Sequence, residues 1–249
     1  MLSRNKIALV TGGSRGIGRG LVHCLASNGY AVALTYHSRR DLAASIVEQL
    51  KADGHKALSI QMVAEERNSV VKALEVVRDH WGTVDILVNN AAIAQEIPFD
   101  IITDQDWDHM MAINLRGPFI CAQECLPDMI ECGWGRIINV TSIGGQWGGF
   151  NQVHYAASKA GLINFTRSLA KLYSEKGITT NAVAVGLVET DMSAAELATE
   201  AGQRKAKAIP RGRLGTVQDI ADTVAFLVSD QADYITGQTI NLNGGMYFG

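Results

Sequence analysis

Three side chains in one short stretch have the types and spacing for proton chemistry. Ser142, Tyr155 and Lys159 supply a hydroxyl, a phenol and an amine. Residues four apart on a helix share a face, so Tyr155 and Lys159 can address one target. A cationic amine beside a phenol favours the phenolate and lowers the phenol's pKa. A phenol tuned in this way exchanges a proton near neutral pH, where an ordinary tyrosine with a pKa of about 10 is sluggish. Ser142 stands where a hydroxyl can hold the oxygen that receives the proton. The set can protonate an alkoxide or deprotonate an alcohol, a half-reaction that needs a hydride partner.

The elements that would position such a partner lie upstream. Residues 6–11, Lys-Ile-Ala-Leu-Val-Thr, read as a short buried strand. It runs directly into Gly12-Gly-Ser14-Arg15-Gly16-Ile17-Gly18, and a helical stripe of Ile17, Leu21, Val22 and Leu25 follows. Glycines let the backbone turn sharply and approach a pyrophosphate, and a helix N-terminus favours its negative charge. Glycines also serve plain turns, but the strand–turn–helix context favours nucleotide binding. The second strand, 31–36, ends without an acid. An acid there binds ribose hydroxyls, and a basic residue accommodates a 2′-phosphate. Tyr36, His37, Ser38, Arg39 and Arg40 follow, with Arg15 in the glycine turn. Arg39 and Arg40 can equally open a solvated helix. The missing acid points to NADP rather than NAD.

Strand and helix alternate to the end. Helices are expected at 41–52, 68–80, 104–122, 153–176 and 217–229, and strands at 56–61, 84–89, 135–142, 178–185 and 238–242. In 104–122, Trp107, Met110, Met111 and Leu115 are expected to face the core, with Asn114 a polar residue inside the helix. Residues 193–210 read as a partly helical excursion over the site, a length often used as a lid. This alternation implies one α/β domain over 1–249, a parallel sheet with helices on both faces. Ligands then bind outside the carboxyl ends of the strands, which places Thr11, Asn89 and Ser142 on one rim.

Composition narrows the function classes. The 249 residues are 47% hydrophobic and 19% charged, with a net charge of −3. This suits a globular core and argues against a nucleic-acid binder or a basic membrane-surface protein. No apolar run is long enough to span a bilayer, and the start, leading straight into a strand, shows no signal peptide. The four cysteines form no CxxC pair. Cys121 and Cys125 share a helix face, a spacing open to a metal but favouring reduced thiols in a cytoplasmic core, so no metal is expected.

In order and spacing, Thr11-Gly12-x-x-x-Gly16-x-Gly18, Asn89-Asn90-Ala91, Asn114, Ser142 and Tyr155-x-x-x-Lys159 resemble the short-chain dehydrogenase/reductase family over nearly the whole chain. The resemblance implies a Rossmann-type, doubly wound sheet of seven parallel strands. It implies Tyr155 as acid/base, Lys159 as the residue that lowers its pKa and holds the nicotinamide ribose, Ser142 as the carbonyl's orienter and Asn114 as part of a proton relay. It implies NADP(H) contacts at Gly12, Ser14, Arg15, Gly16, Ile17, Gly18, Tyr36, His37, Ser38, Arg39, Val63, Asn90, Ala91, Tyr155, Lys159, Gly186, Val188 and Thr190. The chain is most similar to 3-oxoacyl-[acyl-carrier-protein] and acetoacetyl-CoA reductases, which implies NADPH-dependent reduction of a 3-oxoacyl thioester. Other small carbonyls (a sugar, a quinone or a secondary metabolite) are the alternative, and a non-catalytic nucleotide binder a lesser one. A homotetramer is also implied, with helix 153–176 in one interface and the C-terminal segment in another.

Some positions depart from the family pattern. Ala92 replaces a glycine, Met62 stands near the usual adenine acceptor, and Val185 replaces a proline before Gly186. Acyl-carrier protein calls for basic residues at the site entrance. Lys171 is one such residue, while Met129, Ile130 and Glu131 supply no other, which counts against that partner.

Overall fold

The computed structural model describes residues 5–249; residues 1–4, the lead into the first strand, lie outside it, and nothing is described of the side chains of residues 192, 195 and 196. Seven strands form one sheet: β1 (Ile7–Val10), β2 (Ala31–Tyr36), β3 (Ala57–Gln61), β4 (Ile86–Asn89), β5 (Gly135–Ser142), β6 (Ile178–Val185) and β7 (Thr239–Leu242). Their order is β3-β2-β1-β4-β5-β6-β7, and every pairing is parallel. β1, β2, β4 and β6 are buried along their whole length, which explains their continuous apolar runs: both faces of a parallel sheet are covered.

Two cores result. One packs α1 (Gly16–Ser27), α2 (Arg40–Ala52) and α10 (Val217–Leu227) on one face, through Leu21, Ile46 and Val224. The other packs α3 (Arg67–His80), α5 (Gly117–Cys132) and α7 (Val153–Tyr173) on the opposite face, through Val70, Ile120 and Leu169. The strand order reverses between β1 and β4, and at that point a crevice opens beyond the strand ends.

The stretch read as one helix over 104–122 is three pieces. α4 (Asp104–Met111) has a Thr103–Asp106 capping box, residues Ala112–Arg116 form a π turn, and α5 continues to Cys132. Pro127 lies inside α5, which masked the second half in the sequence; a proline removes one backbone donor without always ending a helix. Gly133 ends it at φ +64°, a left-handed cap. Trp107, expected in the core, is 38% exposed near the start of α4, and Met110, one turn on, is the buried anchor of that helix. The excursion expected at 193–210 covers most of α8 (Asp191–Leu197), which starts two residues earlier, and all of α9 (Glu200–Lys207), which is capped by the Thr199 side chain. The small-residue face of α7 receives its neighbour inside the chain: a Cβ at Gly161 would fall 2.9 Å from Leu115 of the π turn. No helix among the described residues is long and apolar enough to cross a membrane.

Candidate active site

The rims of β1, β2, β4, β5 and β6 surround one cavity of about 880 Å³. Ser142 ends β5, and Tyr155 and Lys159 lie in the first turns of α7. The Ser142 oxygen accepts from the Gly144 N–H at 3.1 Å, which fixes its rotamer beneath the short helix α6 (Gly144–Trp147). Burial pushes the Tyr155 phenol above its ordinary value, and a hydrogen bond with Ser142 pulls it back. Lys159 is buried, and its amine donates to the Val140 carbonyl at 3.0 Å. The amine lies 5.7 Å from the Tyr155 ring centre, and burial alone lowers its pKa to about 8. The depressed tyrosine expected from the spacing is therefore not what the protein alone provides. Desolvation raises the phenol, and the Ser142 hydrogen bond is what favours the phenolate.

Asn114 sits in the π turn and is fully buried. Its Oδ1 accepts from the Ile93 N–H, and its Nδ2 donates to the Ile93 carbonyl, both at 2.9 Å. The same Nδ2 reaches the Ser158 hydroxyl at 3.2 Å. The extra residue of a π turn lets an interior Asn face across a helix junction, and such turns recur at functional sites. Asn114 here clamps the loop after β4 against α7.

The glycine turn has the properties an anion requires. α1 has no side-chain cap at its N-cap Arg15 and no acid in its first turn, so its first N–H groups meet no anion from the protein. Gly12 and Gly16 have φ of +63° and +51°. A Cβ at Gly18 would fall 2.2 Å from the Gly12 carbonyl and 2.6 Å from Asn90 Nδ2, so the turn closes only around glycine. Asn90 Nδ2 donates to the Thr11 and Gly12 carbonyls, and the Thr11 hydroxyl accepts from the Asn90 and Ala91 N–H groups. These residues fit a dinucleotide pyrophosphate. At the far end, Tyr36, His37, Ser38 and Arg39 line the cavity, no carboxylate follows β2 directly, and Arg39 is engaged by Asp41 at 3.1 Å.

Ser14, Arg15, Gly16, Ile17, Asn90, Ala91, Gly186, Val188 and Thr190 also line the cavity. Asn114 does not reach its wall, and neither does Val63, whose N–H is taken by the Ser69 hydroxyl at 2.9 Å. Met62, Ala64 and Glu65 form that part of the wall instead. Ala92 lines the opposite floor; Val185 stays in the strand, its carbonyl accepting from the Ile143 N–H at 3.1 Å. Of the residues weighed as carrier contacts, Met129 is buried, whereas Ile130, Glu131 and Lys171 are exposed. Cys121 and Cys125 are buried free thiols, with Cys121 pushed up to about 12 by desolvation.

Sequence reasoning missed a buried polar column under the site: Asn89 donates to Asn139, which donates to the Thr166 hydroxyl, each at 2.9 Å. It also missed His109, Gln152, Lys205 and Met246 in the wall. The one signal for Met246 is the Gly244-Gly245 pair that turns the chain back before it.

A family model described as enoyl-(acyl-carrier-protein) reductase matches residues 12–247. The chain is 44% identical, over 98% of its length and 99% of the relative's, to 3-oxoacyl-[acyl-carrier-protein] reductase FabG of Staphylococcus epidermidis. It is 43% identical to the enzyme of that name from Escherichia coli K12, over 97% of each chain. Among solved structures, it resembles a blue fluorescent protein from a metagenomic library in complex with NADPH, with a TM-score of 0.92, 38% identity and coverage of 98% and 99%. It also resembles a putative gluconate dehydrogenase from Agrobacterium tumefaciens, with a TM-score of 0.94, 30% identity and coverage of 98% and 96%.

Proposed function

The chain belongs to the short-chain dehydrogenase/reductase family, and from that premise we propose that it reduces the ketone of a 3-oxoacyl thioester to the secondary alcohol, using NADPH, as a cytoplasmic homotetramer. The observation that carries this reading is one cavity that holds both an uncapped glycine-turn helix end and the Ser142–Tyr155 pair. The full-length identity to 3-oxoacyl-[acyl-carrier-protein] reductases supports the substrate class.

NADPH supplies the hydride when bound. The protein's residues do the rest. The α1 N-terminus and the Thr11–Asn90 lacing would hold the pyrophosphate, and Tyr36, Ser38 and Arg39 would receive the 2′-phosphate. Ser142 orients the carbonyl oxygen. Tyr155 gives its proton to that oxygen as charge develops on it, and a phenol held neutral by burial is in the correct state to donate. Lys159 offsets the phenolate that remains, and Asn114 keeps Ile93 and Ser158 fixed around the reacting groups.

The test is NADPH oxidation with acetoacetyl-CoA and an acetoacetyl-carrier-protein, beside a panel of ketones, sugars and quinones. Thioester turnover well above the panel is expected. Turnover of a sugar or quinone far above either thioester would replace this substrate reading.

A further inference from the structure

We propose that Trp147, braced edge-to-face by Tyr247 and flanked by Met246, is the wall that limits acyl length, selecting short 3-oxoacyl groups. This rests on the thioester reading above. Trp147 and Met246 line the cavity, and Trp147 stands at the end of the short helix that starts just after Ser142.

Trp147 is 51% exposed, so the core does not hold it. Its ring instead meets Tyr247 at a centroid distance of 5.9 Å and an interplanar angle of 75°. That is the favourable edge-to-face geometry for an aromatic pair. Gly148, immediately after Trp147, has φ +91° and open space where a Cβ would be. The glycine is there for its backbone angle and leaves Trp147 on a pivot.

Tyr247, in contrast, stands on a built turn. The Asn243 side chain donates to the Tyr247 carbonyl at 3.0 Å and accepts from the Gly245 N–H at 2.9 Å. Gly244 and Gly245 take φ of +65° and +90° to make this reversal. The turn is seated against the end of β6, where a Cβ at Gly186 would fall 2.8 Å from Asn243 Cα. The C-terminal turn therefore fixes Tyr247, Tyr247 fixes Trp147, and the indole closes the pocket. A cavity of about 880 Å³ lies within the range for one drug-sized ligand, so a bound dinucleotide leaves room for a small group only.

The experiment compares kcat/KM for acetoacetyl and 3-oxodecanoyl thioesters with NADPH. The wild type is expected to favour the short chain. Trp147→Ala is expected to shift the ratio toward the long chain by about tenfold or more, the scale of a relieved steric contact. Tyr247→Ala is expected to shift it in the same direction although Tyr247 is not in the wall. The double variant should exceed the larger single variant little, because the two residues act as one unit. Trp147→Phe and Tyr247→Phe preserve ring contact and should keep the wild-type ratio, which separates the wall from loss of fold. Unchanged ratios in both alanine variants would overturn the proposal, as would a shift with Trp147→Ala and none with Tyr247→Ala. If no thioester is turned over, the same variants are read with short and long aliphatic ketones. A length shift there leaves the wall standing while the thioester reading fails; a constant ratio removes the wall.

Discussion

Burial pushes the Tyr155 phenol up and the Lys159 amine down, to about 8 for the amine. Both side chains therefore resist charging in the protein alone. For Lys159 the sign is definite. The folded chain releases this proton near pH 8, and an unperturbed lysine holds it to 10.5. Between those values the unfolded state binds more protons, so stability rises with pH, and below about 8 the full penalty for the buried charge is present. Lys159→Met should therefore remove that penalty, partly offset by the Val140 carbonyl it leaves without a donor, flatten the stability profile between the two values, and depress turnover. Chemical denaturation across that pH range measures it; a variant less stable than the wild type at pH 7 would contradict it. Arg39 makes a second prediction at this scale. It is exposed and shared with Asp41. Arg39→Ala should lower kcat/KM for NADPH by about tenfold, the worth of one charge-assisted hydrogen bond, and leave that for NADH unchanged. Equal losses with both cofactors would place the 2′-phosphate elsewhere.

At the scale of elements, the π turn and the glycine turn make the site. Asn114→Ala leaves the Ile93 N–H and carbonyl without their partners and frees the loop after β4. It should cost about 2–3 kcal/mol in denaturant unfolding and lower kcat more than it raises KM. Gly18→Ala forces a Cβ onto the Gly12 carbonyl, so NADPH affinity by fluorescence titration should fall together with a stability loss of about 1–3 kcal/mol. The strands and the glycine turn were readable because buried parallel strands are continuous apolar runs and the turn tolerates only glycine at Gly18. The π turn was not readable, because one inserted residue shifts helical phase without any composition cue, and Pro127 hid the length of α5. The Val63 N–H donates to Ser69 instead of facing the cavity, a contact between residues with no shared periodicity that the sequence does not reveal. Trp147 was readable as a pocket residue from its place between Ser142 and Tyr155, but its partner Tyr247 was hidden, because the two are far apart in sequence and only the C-terminal turn brings them together.

For the whole molecule, the described surface keeps large apolar side chains in water. Phe119 on α5 and Leu172 on α7 are 41% and 64% exposed, and Tyr234 and Phe248 near the C-terminus are fully or largely exposed. If the chain assembles as the proposed homotetramer, light scattering should give about four times the 26.8 kDa chain mass. A monomer mass at micromolar concentration would contradict it. The central claim is that Tyr155 protonates a carbonyl oxygen reduced by hydride from NADPH. The most direct measurement is a single-turnover reduction of acetoacetyl thioester by enzyme preloaded with NADPH, for the wild type and Tyr155→Phe. The account predicts unchanged NADPH affinity and a rate at least about a hundredfold lower in the variant, the scale of general acid catalysis. A variant that binds NADPH normally and reduces the thioester at the wild-type rate would contradict it.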